Sequence, residues 1–315
     1  SAASDVYKRQ DVSAAGSTEF ELYYRAGEYE YRYVLSVHAD EIVSEGLWRR
    51  KLGASRTALL FEREGAEVEL GPTLRKLVTA ARFNPRLPYL SFLCINFDAP
   101  VVKEAASWFL DGVFLNYNSS YLEQMLEQLL DEDDSPEVSR FLRAVDVRID
   151  GFRVERAPEW RGQRVFVRHE VGGKAYELRL SEESAGTQKL MGLAAYLMTA
   201  LERGGTVVVD ELDAKLHPKL LRYVILLFKD PEVNKSGAQL IFSSQDVSTM
   251  RNDVFRRDEI WFAARGEGEA SQLWSLADIH EANGNLVSKN AAFDKQYLSG
   301  RYGADPYLTR IEEWD

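Results

Sequence analysis

The stretch Thr206-Val207-Val208-Val209-Asp210-Glu211 decides the fold. Four β-branched residues in a row favour an extended chain, because their side chains pack well on a pleated surface and poorly against a helical turn. The run is apolar without alternation, which reads as a central strand of a parallel or mixed sheet rather than one with a wet face. Two carboxylates follow at the carboxyl end, where open α/β sheets bind ligands. In a nucleotide-hydrolysing site, Asp210 would hold Mg2+ through water and Glu211 would polarise the attacking water. Read alone, the same residues also describe a buried strand followed by the acidic start of the next helix.

Just upstream, Leu180-Ser181-Glu182-Glu183-Ser184-Ala185-Gly186-Thr187-Gln188 turns a strand into an amphipathic helix. That helix places Leu190, Leu193, Ala194, Leu197, Met198 and Leu201 on one face. Ser184 and Thr187 can donate through hydroxyl or backbone N–H, and Gly186 permits close approach. The unpaired N–H groups of the helix start point at an anion. The turn is therefore phosphate-directed, or else an ordinary capped helix start.

Working outward, the spacing predicts a helix over 187–202, a strand over 206–210, a helix over 215–229 and a strand over 238–243. A short helix over 246–252 and strands over 258–263 and 271–275 follow. Helices alternating with buried strands imply a parallel or mixed sheet flanked by helices, an α/β fold. Before this block, Arg164 to Val171 and Lys174 to Leu180 form a predicted hairpin about Gly172-Gly173. From Thr18 to Arg63 the apolar residues alternate: Phe20, Leu22 and Tyr24, then Tyr29, Tyr31, Tyr33, Leu35 and Val37. These are half-buried antiparallel strands joined around Ala26-Gly27-Glu28, with Thr57 to Glu62 as a third. From Thr73 to Asp146 the period becomes helical, with predicted helices over Val101–Leu110, Tyr121–Leu130 and Glu137–Val145. Ser119-Ser120 and Ser135-Pro136 supply start signals for the last two. Leu87 to Phe97 fits either a strand or a helix. The expected organisation is a non-native leader (1–10), an antiparallel β subdomain (11–66), a helical insertion (67–150) and the α/β core (151–315).

Composition narrows the classes. A net charge of −11 argues against a broad nucleic-acid-binding face, which needs a basic footprint. A local nucleic-acid contact stays open, but Arg49-Arg50-Lys51 and Arg256-Arg257 read as solvated surface, and the acidic run Asp131 to Asp134 as a loop. One cysteine, Cys94, excludes an internal disulfide, and four scattered histidines offer no Cys/His zinc set; a reducing cytoplasm is the expected compartment. No run approaches the roughly 20 apolar residues that span a bilayer, so no membrane association is expected.

Ser184-Ala185-Gly186-Thr187 resembles the signature loop of ABC-type ATPases, and Asp210-Glu211-Leu212-Asp213-Ala214 resembles the Walker B and D-loop of SMC- and RecF-like members. More closely, residues 183–190, 210–218 and the tail Phe293 to Gly303 are similar to the RloA-like prokaryotic ATPases of phage-defence and abortive-infection operons. The likeness runs from about Glu19 to Leu308. It implies an ABC-type ATPase head with an antiparallel β unit and a helical insertion. It also implies ATP and Mg2+ as cofactors, a homodimer that sandwiches ATP, and a separate effector such as a nuclease. In that arrangement Ser184, Gly186 and Thr187 serve the γ-phosphate of the partner's nucleotide, Asp213 crosses the dimer interface, Asp210 serves the metal and Glu211 the water.

Two departures stand out. The chain contains no GxxxxGK[ST] loop, whose glycine amides wrap phosphate while the lysine neutralises it; the Gly173-Lys174 pair sits in a hairpin. The start SAASDVYKRQ resembles read-through sequence, so the loop is expected ahead of Asp11 in a protein truncated at its amino terminus, and this chain alone is expected to be inactive. The second departure is Gln245, at the position where the family carries a switch histidine; glutamine donates a hydrogen bond but takes up no proton at neutral pH. His217 is expected to be structural. A RecF-like DNA-repair ATPase and a non-hydrolysing interaction module are the alternative functions.

Overall fold

The computed structural model describes residues 16–79, 82–116, 136–145, 149–156, 163–265, 271–281 and 284–304. They form two compact units, one ending at Gly112 and the other beginning at Val113. The division falls inside the stretch 67–150 that the sequence reads as a single helical segment. The predicted leader, the helix over Tyr121–Leu130 with its start at Ser119-Ser120, and the acidic run 131–134 lie outside the described residues.

The first unit is a five-stranded antiparallel meander in chain order: β1 (Thr18–Ala26), β2 (Tyr29–His38), β3 (Glu41–Lys51), β4 (Thr57–Glu64) and β5 (Glu67–Leu70). Alternation puts Tyr24, Tyr31 and Tyr33 inward; Tyr24 faces Tyr31 across the β1–β2 ladder, and their rings stack 5.4 Å apart. These residues share a core with α1 (Tyr89–Asn96) and α2 (Pro100–Asp111), so Leu87 to Phe97 resolves as mostly helix. Strand β3 escapes the period-two reading for a physical reason. Its register slips between Leu47 and Trp48, and it points a charged residue, Glu45, into the core. That carboxylate accepts Tyr33 Oη at 3.0 Å and the backbone N–H groups of Tyr89 and Leu90 at 2.5 and 3.0 Å, which caps α1. The cluster Arg49-Arg50-Lys51 is spent locally: Arg50 and Lys51 pair with Glu30 and Glu28, and Arg49 lies over the Tyr29 ring.

In the second unit β10 (Thr206–Asp210) lies between β11 (Gln239–Phe242) and β6 (Val113–Asn116), parallel to both. Val207 and Val209 are fully buried and Val208 partly so. Their core is shared by α3 (Pro136–Ala144), α4 (Ala185–Arg203) and α5 (Pro218–Lys229). The inward face of α4 carries Leu190, Leu193, Ala194, Leu197 and Leu201, as its periodicity requires. The helix stops at Gly204, whose φ of 82° is left-handed, and a Cβ there would lie 2.3 Å from Ser236 O. A separate antiparallel sheet joins β7 (Gly151–Arg156), β8 (Gln163–Val171) and β9 (Lys174–Arg179), with Gly172-Gly173 as the hairpin turn. The hairpin of β12 (Trp261–Arg265) and β13 (Ser271–Ser275) packs against α6 (Phe293–Leu298). Phe262 stacks on Tyr297 and Trp274 Nε1 donates to Tyr302 O at 3.2 Å, which gives the Phe293–Gly303 tail a packing role.

Three local expectations need correction. Residues 246–252 form turns, not a helix: Asp246 accepts Ser248 N at 2.9 Å while Ser244 Oγ accepts Asp246 N at 3.0 Å, so side chains take the helix's donors. The helix expected from 215 begins at Pro218, because Lys215 is left-handed at φ 62° and His217 Nδ1 caps the start by accepting Lys219 N. The strand expected from 258 begins at Trp261, after a short 3-10 turn over Arg257–Glu259.

Candidate functional site

Three segments of the second unit converge at the carboxyl end of β10: the Ser184–Thr187 turn, the Asp210–Lys215 turn and the end of β11. Ser184 is the N-cap of α4. Its Oγ accepts Thr187 N at 3.2 Å and lies 2.9 Å from Thr187 Oγ1. Ser184 and Ala185 are exposed, while Gly186 and Thr187 are half-buried. The approach to the turn is anchored on the antiparallel sheet, where His169 Nε2 on β8 donates to Glu183 Oε1 at 2.6 Å. Gln188 Nε2 then donates to Glu183 O at 2.7 Å.

Asp210 ends β10 with an exposed carboxylate. Ser243, just beyond β11, donates its hydroxyl to Asp210 Oδ1 at 2.5 Å, and Ser243 Oγ in turn accepts Glu211 N at 2.8 Å. Glu211 has φ 52°, a left-handed backbone that costs a non-glycine residue about 1–3 kcal/mol and persists only where its surroundings hold it. Asp213 Oδ1 accepts the backbone N–H of Gln245 at 3.2 Å, and the Gln245 side chain is exposed.

The serine turn and the acidic turn touch. A Cβ on Gly186 would lie 3.0 Å from Lys215 O, so the glycine lets the first turn of α4 seat on the acidic loop. Lys189, 5% exposed on α4, donates from Nζ to Glu211 O at 2.9 Å and to Ala214 O at 2.6 Å. Burial lowers its pKa to about 8, partly opposed by Asp213 and Glu211 and reinforced by Lys215.

Every residue the sequence nominates is therefore brought to one edge: Ser184, Gly186 and Thr187 on one turn, Asp210, Glu211 and Asp213 on the next, and Gln245 beside them. Gly173-Lys174 stays apart in the β8–β9 hairpin turn. Sequence reasoning missed two residues. A lysine set on the otherwise apolar flank of α4 was the available signal for Lys189. For Ser243 the sequence carries no such signal: the β10–β11 ladder, whose last pair is Val209 with Phe242, brings it beside Asp210 only in the fold.

Among the described residues, no three His, Cys, Asp or Glu side chains group as a metal site, and no helix is long and apolar enough to cross a membrane. The donor set suits a metal held largely by other oxygens: Asp210 keeps one carboxylate oxygen beyond its bond to Ser243 and is open to solvent.

A parallel sheet whose central strand ends in an Asp-Glu pair, flanked by a serine-capped helix start and accompanied by an antiparallel β unit, defines the class: a mixed α/β domain of AAA type. The chain belongs to the family described as "AAA domain, putative AbiEii toxin, Type IV TA system", which matches residues 10–251. Comparison with curated proteins finds no match. Among solved structures the chain is similar to an SMC head domain from Thermotoga maritima, at 12% identity, covering 79% of this chain and 74% of that one, with a TM-score of 0.34. It is also similar to an SmcHead bound to the C-winged helix domain of ScpA, at 14% identity, covering 79% and 75%, with a TM-score of 0.41. A third is an Smc head domain with an extended coiled coil bound to the C-terminal domain of ScpA derived from Pyrococcus furiosus, at 12% identity, covering 86% and 85%, with a TM-score of 0.39.

Proposed function

We propose that this chain is the signature and Walker B part of an ATP-dependent head that works in pairs and controls a separate effector, such as a nuclease, in a defence-type system. The Ser184–Thr187 turn and the one opened by Asp210 touch on one edge, with Ser184 and Asp210 themselves exposed; that single observation carries the reading. Ser184 and the first N–H groups of α4 would receive the terminal phosphate of nucleotide held by a second copy. Asp210 would take Mg2+ through water, and Glu211 would draw a proton from the attacking water. Asp213, joined to the backbone of Gln245, would meet the second copy and report its arrival to the same edge. When bound, MgATP would supply the polyphosphate charge toward which Ser184, the first N–H groups of α4 and, through the metal, Asp210 are directed. The toxin–antitoxin wording of the family description supports the defence setting. The single cysteine suits the cytoplasm.

The chain holds no glycine-rich phosphate cradle, and Gln245 takes up no proton at neutral pH. These two features favour a second reading for the chain alone, that of a non-hydrolysing interaction module. A titration of labelled protein with MgATP tests the main reading. Amide shifts confined to Ser184–Thr187, Asp210–Asp213 and Ser243–Gln245, and lost in Ser184→Arg, are expected. Shifts elsewhere, or none with saturating nucleotide, would defeat it.

A further inference from the structure

We propose that Lys189 is a positioning residue that holds Glu211 in its left-handed conformation and joins it mechanically to the serine turn; this rests on the reading of Glu211 and Ser184 given above. The two peptide groups flanking the Glu211 α-carbon are gripped by side chains from different elements. On the amino side, Ser243 Oγ accepts Glu211 N at 2.8 Å; on the carboxyl side, Lys189 Nζ donates to Glu211 O at 2.9 Å. A left-handed glutamate is sterically disfavoured, so φ 52° reports that these holds prevail. The same Nζ donates to Ala214 O at 2.6 Å and so spans the turn from its second residue to its fifth. Lysine suits the task because several hydrogens on one compact nitrogen, at the end of a flexible stem, can reach two carbonyls that diverge.

The link runs back to the serine turn through one helix. Lys189 lies five residues beyond Ser184, and α4 runs unbroken from Ala185 to Arg203. Gly186 seats the start of that helix against Lys215 O, and Lys215 is itself left-handed at φ 62°. Displacing Ser184 through the helix start would therefore carry Lys189 with it and pull on Glu211 O. The Ser184–Thr187 turn and the Asp210–Lys215 turn then behave as one body, and occupancy of the first is felt by the backbone of Glu211.

The experiment compares the wild-type chain with Lys189→Met, which keeps the stem and removes the donors, and Lys189→Arg, which keeps donors at the stem's end. Without nucleotide, Lys189→Met should speed amide exchange at Glu211 and Leu212 by about tenfold or more and move the Glu211 Cα and Cβ shifts out of the left-handed range. The amides of Val207–Val209 and of the middle of α4 should keep their protection, and Lys189→Arg should restore that of Glu211. With MgATP, wild type should shift Glu211 together with Ser184–Thr187, whereas Lys189→Met should shift only the serine turn. Unchanged exchange at Glu211 in Lys189→Met, or loss spread evenly through β10 and α4, would overturn the proposal. Should Lys189→Met not fold, Lys189→Gln, which keeps a shorter neutral donor, gives the same comparison with a smaller loss. No shift at Ser184–Thr187 in wild type would instead sink the nucleotide reading, and the exchange result would stand apart from it.

Discussion

Ser243 Oγ lies 2.5 Å from Asp210 Oδ1, so the residue that follows β11 holds the carboxylate that ends β10. The parallel ladder continues past the strand ends to make this so: Ser243 N donates to Val209 O at 3.1 Å and Leu212 N donates to Ser243 O at 3.0 Å. A single serine thus orients the candidate metal ligand and, through Glu211 N, the candidate base.

Ser243→Ala removes both side-chain bonds and leaves the backbone ladder intact. The expected loss is about 1–2 kcal/mol, since the freed carboxylate is exposed and can be hydrated. Chemical denaturation measures it, and a loss within error would mean that the hydroxyl contributes nothing to the turn.

Gly186 is half-buried with its α-carbon facing Lys215 O. Alanine there would gain up to about 1 kcal/mol of helix propensity. Its methyl group would sit 3.0 Å from a backbone oxygen that can yield only by moving the acidic turn. Valine keeps the clash and gives back much of the propensity, so Gly186→Val should destabilise by about 1–3 kcal/mol. Thermal melting of the two variants separates the terms; a Gly186→Val protein as stable as wild type would show that the two turns are not in contact.

How much of this was legible in the sequence follows from what each residue answers to. The strand 206–210 and the helix beginning at Ser184 were readable because local pattern and burial agree there. Strand β3 was not, because its inward Glu45 and its slipped register break the alternation that marks a strand. The segment 246–252 misled because its apolar spacing suits a helix while Asp246 and Ser244 bind the backbone into turns. At the site the exposed groups could be named from residue type and order. Lys189 was marked only as a lysine on an apolar helix flank and Ser243 not at all, since their roles depend on which elements the tertiary fold brings together.

In the first unit, Arg63 and Glu45 are both completely buried, 3.4 Å apart. Arg63 also donates to Leu87 O and Pro85 O at 2.8 and 2.5 Å, and lies over the Phe83 ring. Arg63→Met leaves a buried carboxylate with three donors but no countercharge. The expected cost is about 3–5 kcal/mol, while the double change Arg63→Met with Glu45→Gln should recover part of it. Denaturant midpoints of the single and double variants decide it, and a double variant less stable than the sum of the singles would mean that the charge pair is not the controlling term.

Lys189 gives a pH dependence of definite sign. Its pKa falls from 10.5 in the unfolded chain to about 8 in the folded one, because burial opposes the charge more strongly than Asp213 and Glu211 favour it; Lys215 adds to the lowering. Below about pH 8 both states carry the proton, and the folded state bears the whole penalty of burying an ammonium. Between about 8 and 10.5 the unfolded chain binds the proton and the folded one does not, so stability attributable to this residue rises with pH across that window. The neutral amine keeps hydrogens for Glu211 O and Ala214 O, so the clamp survives the loss of charge. Against Lys189→Met, which cancels the titration of every other group, wild type should gain at most roughly 3 kcal/mol over that range. Paired denaturation curves from pH 7 to pH 10 measure the difference; a difference that is flat, or that falls with pH, would show that the buried lysine keeps its proton and that its contacts to the turn are those of an ion.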